Sequence, residues 1–155
     1  MGLLVVFYSR TGNTKKIGEL ISRELNCEYE EIFDTKKRSG FIGFIRAGAD
    51  ATRKKLTIIK EIEKNPENYD LVILGTPIWN RRMSTPIRTY ITEYRSKIKN
   101  VAFFCTMGGK GNHKAFESMM HLFDKQPIAT LEINKKEIKE RVYDDKIRKF
   151  ILSLT

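Results

Sequence analysis

Short, nearly continuous apolar runs recur along the chain at Leu3 to Tyr8, Tyr29 to Phe33, Leu71 to Leu74, Val101 to Cys105 and Ile128 to Ile133. Runs of this kind suit parallel strands buried on both faces, where no position is left to water. Between them lie stretches with apolar residues at helical spacing, which predict helices over Thr14 to Leu25, Phe41 to Lys55, Thr85 to Lys97, His113 to Lys125 and Lys136 to Leu152, the last starting nearer Asp144. Strict alternation of strand and helix predicts an α/β fold, a doubly wound five-stranded parallel sheet in three α/β/α layers. Right-handed crossovers and short loops favour the strand order 2-1-3-4-5. No linker, repeat or low-complexity tract divides the chain, so residues 1–155 read as one domain. The stretch from Thr35 to Asn68 is the least regular. There, Phe41-Ile42-Gly43-Phe44-Ile45 suits either core packing or a flap facing a partner or ligand, and Leu56 to Asn68 suits helix or loop.

Sheets wound this way bind ligands beyond the carboxyl ends of their strands, where the winding reverses; here that is between the first and third strands. The turns beginning at Ser9 and Thr76 should therefore be neighbours. The first turn, Ser9-Arg10-Thr11-Gly12-Asn13-Thr14, sits between an apolar strand and an amphipathic helix. A helix N-terminus presents unpaired N–H groups and a partial positive charge, and hydroxyls beside it complete a phosphate site. Ser, Thr and Asn also favour helix starts for capping alone. The triphosphate-binding P-loop and the dinucleotide fingerprint both need more glycines than the single Gly12 of this loop. A terminal phosphate, as on a mononucleotide, fits it better.

Two further turns fall on the same predicted edge. Gly75-Thr76-Pro77-Ile78-Trp79-Asn80 carries the only tryptophan of the chain. Flanked by Pro77 and by Asn80-Arg81-Arg82, it reads as an indole placed to stack on a ligand rather than as a core residue. The fourth strand runs into Thr106-Met107-Gly108-Gly109-Lys110-Gly111-Asn112, whose glycines permit close backbone approach.

Composition narrows the partners. The 29 Lys and Arg against 19 Asp and Glu give a formal charge of +10, which attracts anionic ligands and acidic proteins. The basic residues are dispersed, as at Lys36-Lys37-Arg38 and Arg53-Lys54-Lys55, and no nucleic-acid-binding signature accompanies them, so nucleic acid is a disfavoured partner. Neither a span-length apolar stretch nor a leader pattern is present, and Cys27 and Cys105 lack CxxC spacing. A cytoplasmic protein with reduced thiols is expected. His113 and His121 show no metal-ligand spacing, and no metal site is expected.

Taken together, the three loops resemble those of the flavodoxin family, over nearly the whole chain. Tyr8 to Thr14 is similar to the family's phosphate loop, Gly75 to Trp79 to its second loop, and Cys105 to Gly109 to its third. The resemblance implies FMN as cofactor. Its phosphate would be held by the hydroxyls of Ser9, Thr11 and Thr14 and the amides of Arg10, Gly12 and Asn13. Thr76, Pro77, Ile78, Trp79 and Asn80 would line the ribityl chain and one ring face, and Thr106, Met107, Gly108 and Gly109 the pyrimidine edge. Long-chain members interrupt their last strand with a loop, which Ile128 to Ile133 lacks. The chain departs from the acidic electron carriers of the family in its positive charge, in having Met107 and glycines where a Tyr often stacks, and in Arg81-Arg82. Cations near the pyrimidine edge would make the reduction potential less negative.

Three functions remain open on these grounds: a carrier of one or two electrons between redox proteins with acidic docking surfaces, an FMN-dependent NAD(P)H oxidoreductase acting on a quinone or other small acceptor, and a flavin-free basic binding module. No side chain is required as acid or base in the first two, because the flavin carries the redox chemistry.

Overall fold

The computed structural model describes residues 1–36, 40–109, 111 and 113–155, with the side chain of Phe41 also set aside. Lys37, Arg38, Lys110 and Asn112, named above among the basic and loop residues, lie outside the described residues. So does the ring of Phe41.

Strands β1 (Leu3–Phe7), β2 (Glu28–Glu31), β3 (Leu71–Trp79), β5 (Val101–Met107) and β6 (Thr130–Asn134) form the parallel sheet, in the order β2-β1-β3-β5-β6. A two-residue strand, β4 (Arg82–Met83), pairs antiparallel with the end of β3. Counting the parallel strands alone, this is the expected 2-1-3-4-5 winding. Val5 pairs with Tyr29 on one side and Ile73 on the other, which puts the reversal of winding between β1 and β3.

Each face of the sheet has its own core, as its unbroken apolar strands require. Helices α1 (Asn13–Glu24), α5 (Lys135–Glu140) and α6 (Asp144–Leu152) cover one face, burying Ile17, Ile21, Ile138, Ile147 and Phe150 against Val5, Phe7, Ile73 and Phe104. Helices α2 (Gly40–Thr52), α3 (Thr85–Tyr94) and α4 (Ala115–Phe123) cover the other, packing Ala47, Ile87, Tyr90, Met119 and Phe123 on Val6, Leu74 and Phe103. Two glycines let rings lie flat on backbone. A Cβ on Gly18 would stand 2.4 Å from the Phe7 ring, and one on Gly75 2.0 Å from the Phe104 ring.

Several boundaries differ from the sequence expectation. The third strand does not stop at Leu74 but continues to Trp79 and turns back through Asn80 and Arg81 into β4. Both turn residues have positive φ, 48° and 65°, the conformation of a tight two-residue hairpin, adopted here without glycine. The last predicted helix breaks at Arg141 (φ 56°) into α5 and α6, with α6 starting at Asp144 as expected. A capping box explains the extra helix: Asn134 Oδ1 accepts from the Glu137 N–H while Glu137 accepts from the Asn134 N–H, both at 2.8 Å. Leu56 to Asn68 is loop apart from a short 3-10 turn at Pro66–Asn68 and a bridge between Asp34 and Ile59. Among the described residues, no helix is long and apolar enough to cross a membrane.

Candidate functional site

Helix α1 begins without a side-chain cap and without an acidic residue in its first turn. Its N-cap is Gly12, at φ 99°, a backbone angle that side chains resist and glycine accepts. The Gly12 N–H donates to Ser9 Oγ at 3.0 Å, and the Gly12 carbonyl takes the N–H of Lys16. What remains at the helix mouth is a set of first-turn amides and a positive dipole end with no acidic residue in the first turn to absorb them.

That mouth opens on a cavity of about 430 Å³, lined from the first loop by Ser9, Arg10, Thr11, Asn13 and Thr14, from the second by Pro77, Ile78 and Trp79, and from the third by Thr106, Met107 and Gly108. Its size is that of a small-molecule site. A buried hydrogen bond of 2.7 Å between Thr14 Oγ1 and Thr106 Oγ1 ties the first loop to the third across the sheet edge. Three further residues line the cavity: Phe44, from the segment that suits either core packing or a ligand-facing flap, and Lys135 and Ile138, which sequence reasoning missed. The Arg10 guanidinium lies over the Phe44 ring, 5.3 Å from its centroid, which holds α2 at the cavity rim. Lys135 and Ile138 come from α5, a helix the pattern had merged into its successor. The rule that ligands sit at strand carboxyl ends would have pointed to Lys135, which directly follows β6.

Four of the candidate residues lie elsewhere. Gly12 shapes the loop but lines a neighbouring groove with Lys15, Lys16 and Tyr143. Thr76 is fully buried, and its Oγ1 accepts from the Ser84 N–H at 2.9 Å, fastening β3 to the start of α3. Asn80 turns away to donate to Thr52 Oγ1. Gly109 is not among the residues that line the cavity. The reading of Trp79 as outside the core is also corrected. The indole is 6% exposed and belongs to the α2–α4 core, set edge-on to Tyr8 at 5.4 Å, because β3 continues through it and folds back as a hairpin. It contributes a wall rather than an open platform. Arg81 and Arg82 line a different cavity, so their approach to a ring in this one finds no support in the geometry.

Spacing gave no sign that Cys105, His113 and Glu132 converge, yet the fold brings their ligand atoms within 4.8 Å of one another. Hydrogen bonds account for the cluster. His113 Nδ1 accepts the Ala115 N–H, so Nε2 carries the proton, and it faces Glu132 Oε1 at 2.8 Å. Nε2 then has no lone pair to offer a cation. Burial, and next the Glu132 charge, push the Cys105 thiol well above its ordinary range. At pH 8, Ellman's reagent should leave Cys105 untouched in the folded protein and titrate it only after denaturation; fast native reaction at that thiol would contradict this placement.

The sequence model of the family Flavodoxin matches residues 2–152 of the chain. No curated protein matches it in sequence. Among solved structures, a flavoprotein from Lactobacillus acidophilus NCFM in complex with FMN is 23% identical, with a TM-score of 0.73 over 90% of this chain and 97% of that one. A flavoprotein of Bacteroides eggerthii DSM 20697 is 21% identical, with a TM-score of 0.74 over 94% of this chain and 97% of that one. An NADH:FMN oxidoreductase in its apo form is 14% identical, with a TM-score of 0.59 over 99% and 86%. At these identities the structures share a fold, and the family match carries the assignment. With that match over almost its whole length and its loops gathered at the switch point of a 2-1-3-4-5 sheet, the arrangement of which flavodoxin is itself a standard example, this chain belongs to the flavodoxin family.

Proposed function

We propose that this chain binds FMN in the cavity between α1, β3 and β5 and works as an electron carrier between protein partners. The observation that carries the reading is the uncapped, acid-free N-terminus of α1 facing a cavity that Pro77, Ile78, Trp79, Met107 and Ile138 also line. A flavin mononucleotide has matching parts, a dianionic phosphate and a flat, largely apolar ring.

When bound, FMN supplies one- and two-electron redox chemistry, and the protein's part is to hold, orient and shield it. The first-turn amides of α1 and the hydroxyls of Ser9, Thr11 and Thr14 suit the phosphate, with the Arg10 and Lys135 cations adding attraction. Pro77, Ile78, Trp79, Met107 and Ile138 keep water from the rest of the cavity. Thr14 and Thr106, joined by their hydroxyls, hold the phosphate end and the third loop at a constant separation. None of these residues needs to transfer a proton for an electron to pass.

Partners are expected to present acidic surfaces to the +10 chain, and association should slow as salt rises. An NAD(P)H oxidoreductase is the second reading, supported by the shared fold of the NADH:FMN oxidoreductase. Purified protein should be yellow and release FMN on denaturation. Under anaerobic conditions NADH or NADPH alone should leave it oxidised, while a flavin reductase protein should reduce it. Steady NAD(P)H consumption with a quinone would establish the oxidoreductase instead, and a colourless protein that ignores added FMN would end both readings.

A further inference from the structure

Beyond Trp79 the hairpin borders a second cavity, of about 280 Å³, lined by Thr52, Asn80, Arg81, Arg82 and Lys114. It shares no lining residue with the cofactor cavity and has no carboxylate in its wall. Among the described residues, neither Arg82 nor Lys114 takes part in an ion pair.

Arg82, in its wall, also acts on a buried cation that has no ion-pair partner among the described residues. Arg88, on α3, is 7% exposed, and its Nε and Nη2 are buried with no hydrogen-bond partner among the described residues. One turn earlier on the same helix face, Thr85 Oγ1 is buried and likewise has no hydrogen-bond partner among the described residues. Burial lowers the pKa of Arg88, and the charge of Arg82 lowers it further, so the charged neighbour that Arg88 feels is another cation. A fold rarely buries a guanidinium this way, since every unpaired N–H forfeits the hydrogen bond it had with water. Clustered cations with no carboxylate among them are what an oxyanion site presents before its ligand arrives, and arginine forks match phosphate oxygens in geometry.

We propose that the cavity bounded by Thr52, Asn80, Arg81, Arg82 and Lys114 is a second anion site, which takes the phosphate group of a small molecule. The phosphate dianion is favoured over a single carboxylate because Arg82 and Lys114, neither in an ion pair among the described residues, line the wall together with the neutral groups of Thr52 and Asn80. The site goes beyond the electron-carrier reading and does not depend on it. Its consequence is a phosphorylated ligand held next to the strand that walls the redox cavity.

Isothermal titration calorimetry on FMN-saturated protein, at constant ionic strength, tests this with inorganic phosphate and with 2′-AMP. Each should saturate one site per chain. Tighter binding of 2′-AMP marks a phosphate carried on a nucleotide, and equal binding marks free phosphate. Arg82→Gln combined with Lys114→Gln should weaken both ligands at least tenfold while FMN stays bound. If that double variant does not fold, Lys114→Gln alone, at an exposed position, should still weaken both about threefold. Heats no different from those of sodium chloride, or affinities untouched in the variant that folds, would overturn the proposal.

Discussion

Replacing Thr11 by aspartate should weaken FMN binding at least about a hundredfold while changing riboflavin affinity less than about threefold. Thr11 is exposed, lines the cavity and immediately precedes the Gly12 cap, so a carboxylate there faces the position proposed for the phosphate. Two unit charges about 4 Å apart repel by about 4 kcal/mol at an effective dielectric near 20. The phosphate carries nearly two charges. Even with solvent screening most of this repulsion, about 2.7 kcal/mol survives, which is a hundredfold in affinity. The same carboxylate lies just before the cap at the positive end of α1, whose first turn has no acidic residue, so the apoprotein should keep or slightly gain stability. Flavin fluorescence titrations with FMN and riboflavin check the prediction. Equal losses for the two ligands would mean that the substitution damaged the fold rather than the phosphate site, and no loss for FMN would place the phosphate elsewhere.

Gly75→Ala should cost about 2 kcal/mol or more of stability, despite adding a single methyl group. Gly75 lies in β3 between Phe7 of β1 and Phe104 of β5, and a Cβ on it would meet three Phe104 ring carbons at 2.0, 2.3 and 2.5 Å. Phe104 is fully buried and cannot swing into solvent to make room. Overpacking of this kind typically costs about 1–3 kcal/mol and occasionally more, and a ring wedged against strand backbone belongs at the upper end. Phe104→Leu should relieve the clash, so that the double variant is more stable than the two single losses add up to, by about 1 kcal/mol. Urea denaturation of the four proteins measures this cycle. A Gly75→Ala protein within about 0.5 kcal/mol of its parent would show that the sheet yields at this point, against the dense packing expected of cores.

How much of this was legible beforehand varies with the range of the interaction involved. The first loop was readable from Ser9 to Thr14, because a strand, a hydroxyl-rich turn and a helix follow one another along the chain. The break at Arg141 was only partly readable: the start at Asp144 was anticipated, but the Asn134–Glu137 capping box that founds a separate helix was overlooked. Trp79 was misread because its polar neighbours suggested a loop, whereas the turn at Asn80 and Arg81 folds the chain back and closes the indole inside. Phe44, Lys135 and Ile138 reach the cavity from helices distant in sequence: the apolar run at Phe41 to Ile45 left a ligand-facing flap open and the strand-end rule points to Lys135, but nothing local marks Ile138.

The chain's own order of apolar runs and helical stretches determined the winding of the sheet, and with it the edge at which a ligand could sit. Strand period and helix period are written residue by residue, and handedness leaves few ways to connect them. Only the tertiary structure decided which side chains meet: that Thr14 meets Thr106, that Thr76 fastens β3 to the start of α3 while Asn80 turns to Thr52, that Cys105, His113 and Glu132 converge, and that Arg88 is buried. Those meetings depend on the relative placement of elements tens of residues apart, set by how two cores close on opposite faces of one sheet.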